Sequence, residues 1–500
     1  MRRELLCCAV TLAAAGCATL EQPISGHRDS ASPAVRECAG WFAALDAAVD
    51  EASVRDAQEA RIPGFPYLRV NRFLAAMRGE AAAHERALQD WVGRLLELDR
   101  AARRVEIANL PRERLAPLAE GRDAFAVRFA EERTEECGRL LRALDLAQPQ
   151  ARAALLERAT VPDDYSSARR VLGLYALTRA PFARGVRRYE EEQRAAFARE
   201  PAVPAGGTVV RYAPPPAAAR SREEMTRLLD AASDNSLGVP LPTESALERL
   251  FAAYAPSFDI EVTGDDDRFG ALRWESGDPV PEVNPTELAV YRHPAWTRYH
   301  GHVLLQLVYT LWFPERPPES PRDILSGKLD GVVWRVTLAP DGEPLVFDAM
   351  HPCGCYHLFF PTARAEPLPA PDALEEWVFA PQRLPRLRPG ERPLVRIAAR
   401  THYIERVSIV QGSDSLARYE LRPYDALRSL ERPGGAHASI FGPDGIVAGT
   451  ERAERALFWP MGIRSPGAMR QWGRHATAFV GRRHFDDADL FERRFRFDLP

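Results

Sequence analysis

The feature that most constrains this 500-residue chain is a switch in its hydrophobic period. From about residue 35 to 200, apolar side chains recur every three or four positions, as in Trp41, Phe42, Leu45 and Val49, and again in Leu88, Trp91, Val92, Leu95 and Leu98. That spacing predicts amphipathic helices with one face turned to a core. Turn residues at Pro63-Gly64-Phe65-Pro66, Pro111, Pro149 and Pro162-Asp163-Asp164 divide the stretch into roughly five or six of them. Beyond Pro256 the period becomes two. Val332 to Leu338, the turn Ala339-Pro340-Asp341-Gly342 and Pro344 to Met350 make the plainest hairpin. Phe258 to Thr263 and Gly270 to Trp274 read as another, around a solvated acidic turn at Asp265-Asp266-Asp267, and Gly467 to Val480 reads as a return to helix. Between the halves, Pro201 to Ala219 holds five prolines and two glycines, a composition that suits a linker. The pattern predicts an α+β chain. Its parts are an all-helical domain over 35–200, a Pro/Ala-rich linker over 201–220, and an α+β domain over 221–500 built on a mainly antiparallel sheet.

At the amino terminus, Arg2 and Arg3 precede an apolar run from Leu5 to Ala15 that closes on Ala14-Ala15-Gly16-Cys17. The run is too short to span a bilayer stably and reads as a signal peptide. The closing residues resemble the lipobox of bacterial lipoproteins. The resemblance implies removal of residues 1–16, acylation of Cys17, and a flexible lipidated spacer over 17–34. It also implies an outer-membrane address on the periplasmic side, because Ala18 rather than aspartate follows the cysteine. The partner so implied is the membrane, through the lipid anchor; an envelope protein partner belongs to a scaffold reading of the chain. No other segment is long enough to span, since the best, Val303 to Phe313, falls short of the ~17 residues needed.

Charge narrows the partners further. With 66 basic and 70 acidic residues the net charge is -4, so no single-sign field exists to hold a nucleic-acid backbone. Lys328 is the only lysine and lacks a phosphate-cradling loop, and no G-x-G-x-x-G is present, so no nucleotide cofactor motif is found. In an oxidising compartment the cysteines matter more. Cys7 and Cys8 leave with the signal and Cys17 carries lipid. Cys38 and Cys137, both in helical stretches, are expected to form a disulfide, which leaves Cys353 and Cys355.

Nine of the eleven histidines lie from His293 onward, and two constellations sharpen that bias. In His300-Gly301-His302 before Val303 to Phe313, a strand would turn both imidazoles to one side, opposite an uninterrupted apolar face. Such a pair can give two ligands of a three-histidine zinc site with water in the fourth position. In His351-Pro352-Cys353-Gly354-Cys355-Tyr356-His357, thiols beside imidazoles suit zinc, copper(I) or iron. The same two cysteines can instead close a C-x-C disulfide, or one can pair with His402 as a nucleophile. The leading expectation is an envelope lipoprotein with a metal-binding, hydrolytic site, zinc being held by His300 and His302 with His351 or His357. Two other readings stand beside it: a non-catalytic outer-membrane scaffold with structural disulfides, and thiol–disulfide exchange at Cys353 and Cys355.

Overall fold

A computed structural model describes residues 27–200, 206–216, 221–412 and 417–500, apart from positions 276, 278 and 373. The signal peptide, Cys17, the spacer up to residue 26 and part of the expected linker lie outside the described residues.

Helical spacing becomes helix where it was strongest. Helix α1 (Pro33–Glu51) buries Trp41, Phe42, Leu45 and Val49, and α2 (Glu85–Asn109) buries Leu88, Trp91, Val92 and Leu95 in the same core. Both pack on α3 (Ala126–Leu146). Across that contact Cys38 is bonded to Cys137 (S–S 2.07 Å), and Trp41 Nε1 donates to Thr134 Oγ1 at 3.1 Å. The all-helical expectation needs one correction. Pro63-Gly64 does not separate helices but turns a hairpin between β1 (Ala60–Ile62) and β2 (Phe65–Val70). Tyr67, Leu68 and Val70 of β2 are buried against the helices, so the apolar content of this stretch serves a strand.

Helices α4 (Ser167–Leu172) and α5 (Tyr175–Ala198) lean on later parts of the chain. The Tyr165 hydroxyl, just before α4, lies 2.8 Å from the carbonyl of Ala478 and 2.9 Å from that of Arg483, its one proton serving either, and Phe197 of α5 enters the core beneath the sheets. Within the stretch expected as linker, β3 (Thr208–Ala213) is a strand, its Tyr212 and Ala213 buried.

The second half carries the sheets of an α+β fold. Strands β5 (Ala289–Tyr299), β6 (His302–Arg316), β7 (Gly327–Leu338), β8 (Pro344–Met350) and β9 (Leu358–Pro361) form an antiparallel run. A smaller sheet holds β3, β4 (Ser257–Val262), β10 (Glu391–Ile397) and β11 (Ile404–Gln411), with β10 parallel to β4. One face of β6 (Leu305, Leu307, Tyr309, Leu311, Phe313) and one of β7 (Val332, Trp334, Val336) meet Phe258, Ile260, Val395 and Ile397 of the smaller sheet in a shared core. Aromatic residues from the carboxyl end, Phe485, Phe491, Phe495 and Phe497, cover the opposite face of the larger sheet. The acidic triplet does not cap a hairpin either: β4 and Ala271–Arg273 belong to different sheets, and Asp267 is fully buried.

Candidate functional site

The chain leaves β8 in a tight turn. His351 accepts a hydrogen bond on its carbonyl from Gly354 N (2.8 Å), and its own amide donates to the Cys355 carbonyl (3.0 Å). Gly354 holds φ +89°, and a Cβ there would fall 2.5 Å from the Ala476 carbonyl oxygen, so only glycine closes this bend. Tyr356 follows at φ 61°, also left-handed. Cys353 and Cys355 are both free thiols, Cys353 buried and Cys355 partly open, and the Cys355 amide donates to Cys353 Sγ at 3.4 Å. Hydrogen bonding with Cys353, with burial behind it, pushes the Cys355 thiol well above its ordinary value.

Behind the turn, Asp330 of β7 gathers three cationic or imidazole groups. His351 Nδ1 lies 3.1 Å from Oδ1, His402 Nδ1 2.9 Å from Oδ2, and Arg452 Nη2 3.3 Å from Oδ1. His402 Nε2 faces Asp267 at 3.7 Å, and its ring stacks on Phe313 with centroids 3.9 Å apart. Burial alone would raise the Asp330 carboxyl, but His351, Arg452 and His402 hold it well below the usual carboxylate range. Burial would lower His402, yet its two carboxylates leave it above the ordinary histidine value. For His351 burial outweighs Asp330 and lowers it. Leu329, Arg400 and His402 all take left-handed backbone conformations around this cluster, which concentrates strain where the packing over-determines it.

Alternation along β8 sends the next acidic residue to the other face of the sheet. There Asp348 accepts from Arg335 Nε (2.9 Å) and lies 2.8 Å from His357 Nε2, while Arg335 sits over the Phe485 ring at 3.7 Å. Burial lowers His357 to about 3, so the imidazole is neutral.

The expected metal ligands do not converge. Met350 pairs with Val333, and Val333 with Thr310, which is eight residues beyond His302 on β6. At ~3.3 Å per residue, His302 and the β5–β6 turn that carries His300 stand roughly 26 Å along the strand from the Cys353 turn. Both are exposed, and His300 is tied to Glu492 through its amide at 3.1 Å. His351 and His357 point to opposite faces, each held by its own aspartate. The expected set of His300, His302, His351, His357, Cys353 and Cys355 is therefore corrected: it occupies three places. Among the described residues no group of three or more His, Cys, Asp and Glu side chains is arranged to hold a metal ion. Both ring nitrogens of His402 face carboxylates, Nδ1 bonded to Asp330 and Nε2 directed toward Asp267.

The structure does bring the thiols to a cavity of about 620 Å³. Its wall is the Cys353-to-His357 turn with Tyr403, its roof the Phe182, Val186 and Tyr189 face of α5, and Glu454, Phe458 and Phe479 close one side. Most of the lining is apolar, the form expected of a pocket for a small organic molecule. Sequence reading missed Asp330 and Glu454. A single acid inside the otherwise apolar run of β7 was the available signal for Asp330; Glu454 lies in irregular chain and offered none.

Burial pushes Glu454 up to about 7 against the pull of Arg452 and Arg316. A carboxyl with a raised folded value keeps a proton that the unfolded chain has already released. Stability therefore falls as pH climbs from about 4.5 to about 7, by at most roughly 1.4 kcal/mol per pH unit. Glu454→Gln is expected to abolish that slope, leaving the variant more stable than the parent above pH 7 and close to it below pH 4.5. Urea unfolding at a series of pH values checks this, and an unchanged slope refutes it.

No family model, no curated protein and no solved structure matches the chain.

Proposed function

We propose that this is an envelope protein performing thiol–disulfide exchange on a small, largely apolar molecule, held at the periplasmic side of the outer membrane by an acylated Cys17. The carrying observation is the pair of free thiols, Cys353 and Cys355, in the wall of a cavity, in a chain whose other described cysteines are already joined.

The exchange balances as follows. Cys355, the more open thiol, must give up its proton against the burial and the Cys353 hydrogen bond that retain it; the carboxylate of Glu454 takes that proton as Cys355 Sγ attacks one sulfur of a substrate disulfide, and the other half leaves as a thiolate that takes up a proton. Cys353 then attacks Cys355 Sγ, the mixed disulfide breaks, and the second half leaves as a thiol. Two electrons have passed to the substrate and Cys353 is bonded to Cys355; an external dithiol reverses the steps. Glu454, titrating near neutrality beside the pair, suits proton exchange with Cys355. A zinc hydrolase reading is less favoured because His300 and His302 stand too far from the turn to share an ion with it.

The test uses the full chain after mild reduction, with glutathione disulfide as the probe. The parent is expected to release both halves of the probe. Cys353→Ser is expected to stop at a mixed disulfide on Cys355, visible by mass spectrometry, and Cys355→Ser to do nothing. If the double variant consumes the probe as fast as the parent, the reading is wrong.

A further inference from the structure

The corner between α4 and α5 carries a surface that the exchange chemistry does not use. Val171, Leu172, Leu174 and Leu177 are each more than half exposed. Across from them Leu457 of α6 (Arg455–Phe458) is more than half exposed and Trp459 more than a third. These are one surface. Gly173 lies flush on Pro460, where an added Cβ would come within 2.5 Å of the proline Cβ. Leu174 is held left-handed at φ 51° although its side chain packs on little. Folding gains nothing from presenting a leucine this way, and apolar patches of this kind on soluble surfaces mark contact sites.

Charge identifies the occupant. Between Ser166 and Tyr189 the chain carries six arginines, Arg169, Arg170, Arg179, Arg184, Arg187 and Arg188, and no acidic residue; Arg179 faces Asp372, Arg188 pairs with Glu192 of the acidic run that follows, and Arg169 and Arg170 donate to backbone carbonyls. Leu177, Arg184 and Arg188 follow one another at i, i+7 and i+11, a single exposed stripe of α5. Aliphatic tips and a tryptophan beside arginines form the pattern of a face that lies in a bilayer interface, the tips among acyl chains and the guanidinium groups at anionic head groups. A two-fold contact with a second copy would bring this arginine-rich surface against itself, which like-charge repulsion opposes.

We propose that the α4–α5 corner together with Leu457 and Trp459 is a membrane-docking face for an anionic lipid surface, separate from any lipid on Cys17. Docking would set the cavity edge on the bilayer. Phe182 of α5 meets Phe458 edge to face and Phe479 at a tilt, with centroids 5.5 and 6.1 Å away; all three line the cavity, and Phe458 directly follows Leu457. The cavity would then draw its ligand from the membrane.

The experiment reconstitutes the full chain in vesicles of phosphatidylethanolamine and phosphatidylglycerol, with and without bromine on the phosphatidylglycerol acyl chains. Trp459 is one of nine tryptophans, so its signal is the difference between the parent and Trp459→Phe. Bromine quenching of that component is expected, with its loss in Leu172→Glu/Leu177→Glu and a decrease when phosphatidylcholine replaces phosphatidylglycerol. Identical quenching of the parent and Trp459→Phe would overturn the proposal. So would a dimer in mild detergent that the double variant abolishes, which would make the face a contact between copies. Exchange with glutathione disulfide should be unchanged in Leu172→Glu/Leu177→Glu, so failure of either proposal is seen separately from the other.

Discussion

Asp330→Ala is expected to lower the stability of the folded chain by about 3–5 kcal/mol, the usual cost of removing one partner from a buried charged group. Asp330 is fully buried and faces His351, His402 and Arg452, so its loss leaves a guanidinium and a histidine that prefers its charged form without their shared anion. The pH dependence identifies the cause. Asp330 has a folded value below its unfolded one, so its contribution is present above the unfolded carboxylate value of about 3.9 and fades as pH falls towards the folded value. His402 runs the other way: its folded value is raised, so its contribution is present below about 6.5 and is lost as pH rises through the folded value. The gap between parent and variant in urea unfolding should therefore be widest from about pH 4 to pH 6.5 and narrow on both sides. A gap under about 1 kcal/mol, or one flat with pH, would show that the cluster does not act as described.

Cys38→Ala/Cys137→Ala is the second large effect. The bond joins residues 99 apart in sequence, and closing a loop of that length restricts the unfolded chain enough to account for about 4–5 kcal/mol. Alanine is the better replacement because both cysteines are buried, where a serine hydroxyl would need a partner. Urea midpoints of parent and variant measure the loss. Thiol exchange at Cys353 should survive wherever the variant is folded, since the cavity lining includes neither residue. A loss below about 1 kcal/mol would mean that the unfolded chain is already compact around this pair.

What could be read in advance follows from how far each signal reaches along the chain. The uninterrupted apolar face from Val303 to Phe313 became β6, and the Ala339-Pro340-Asp341-Gly342 turn joins β7 to β8, because period and turn chemistry are local. Local rules also misled. Pro63-Gly64 signals a break but does not say what it separates. The triplet at Asp265 has a solvated composition, yet Asp267 is drawn inside by Thr263, Arg400 and His402, two of them more than 130 residues away. His300 and His302 share a spacing that suits a metal, but no local pattern reports which end of a strand a partner occupies. The thiols were legible as candidates. Their cavity was not, because α5, the turn after β8 and Glu454 meet only in three dimensions.

The aromatic strip at the carboxyl end has a consequence for the order of synthesis. Phe485 supplies both a carbonyl and a ring to Arg335, Arg483 lines the cavity, and Phe491 to Phe497 cover the outer sheet face. A ribosome must release nearly the whole chain before the outer face of the larger sheet is finished. The contacts of α1 and α3, by contrast, need only the first third. The Cys38–Cys137 contact is thus complete within α1 and α3, whereas the turn that carries Cys353 and Cys355 also needs residues from the carboxyl end.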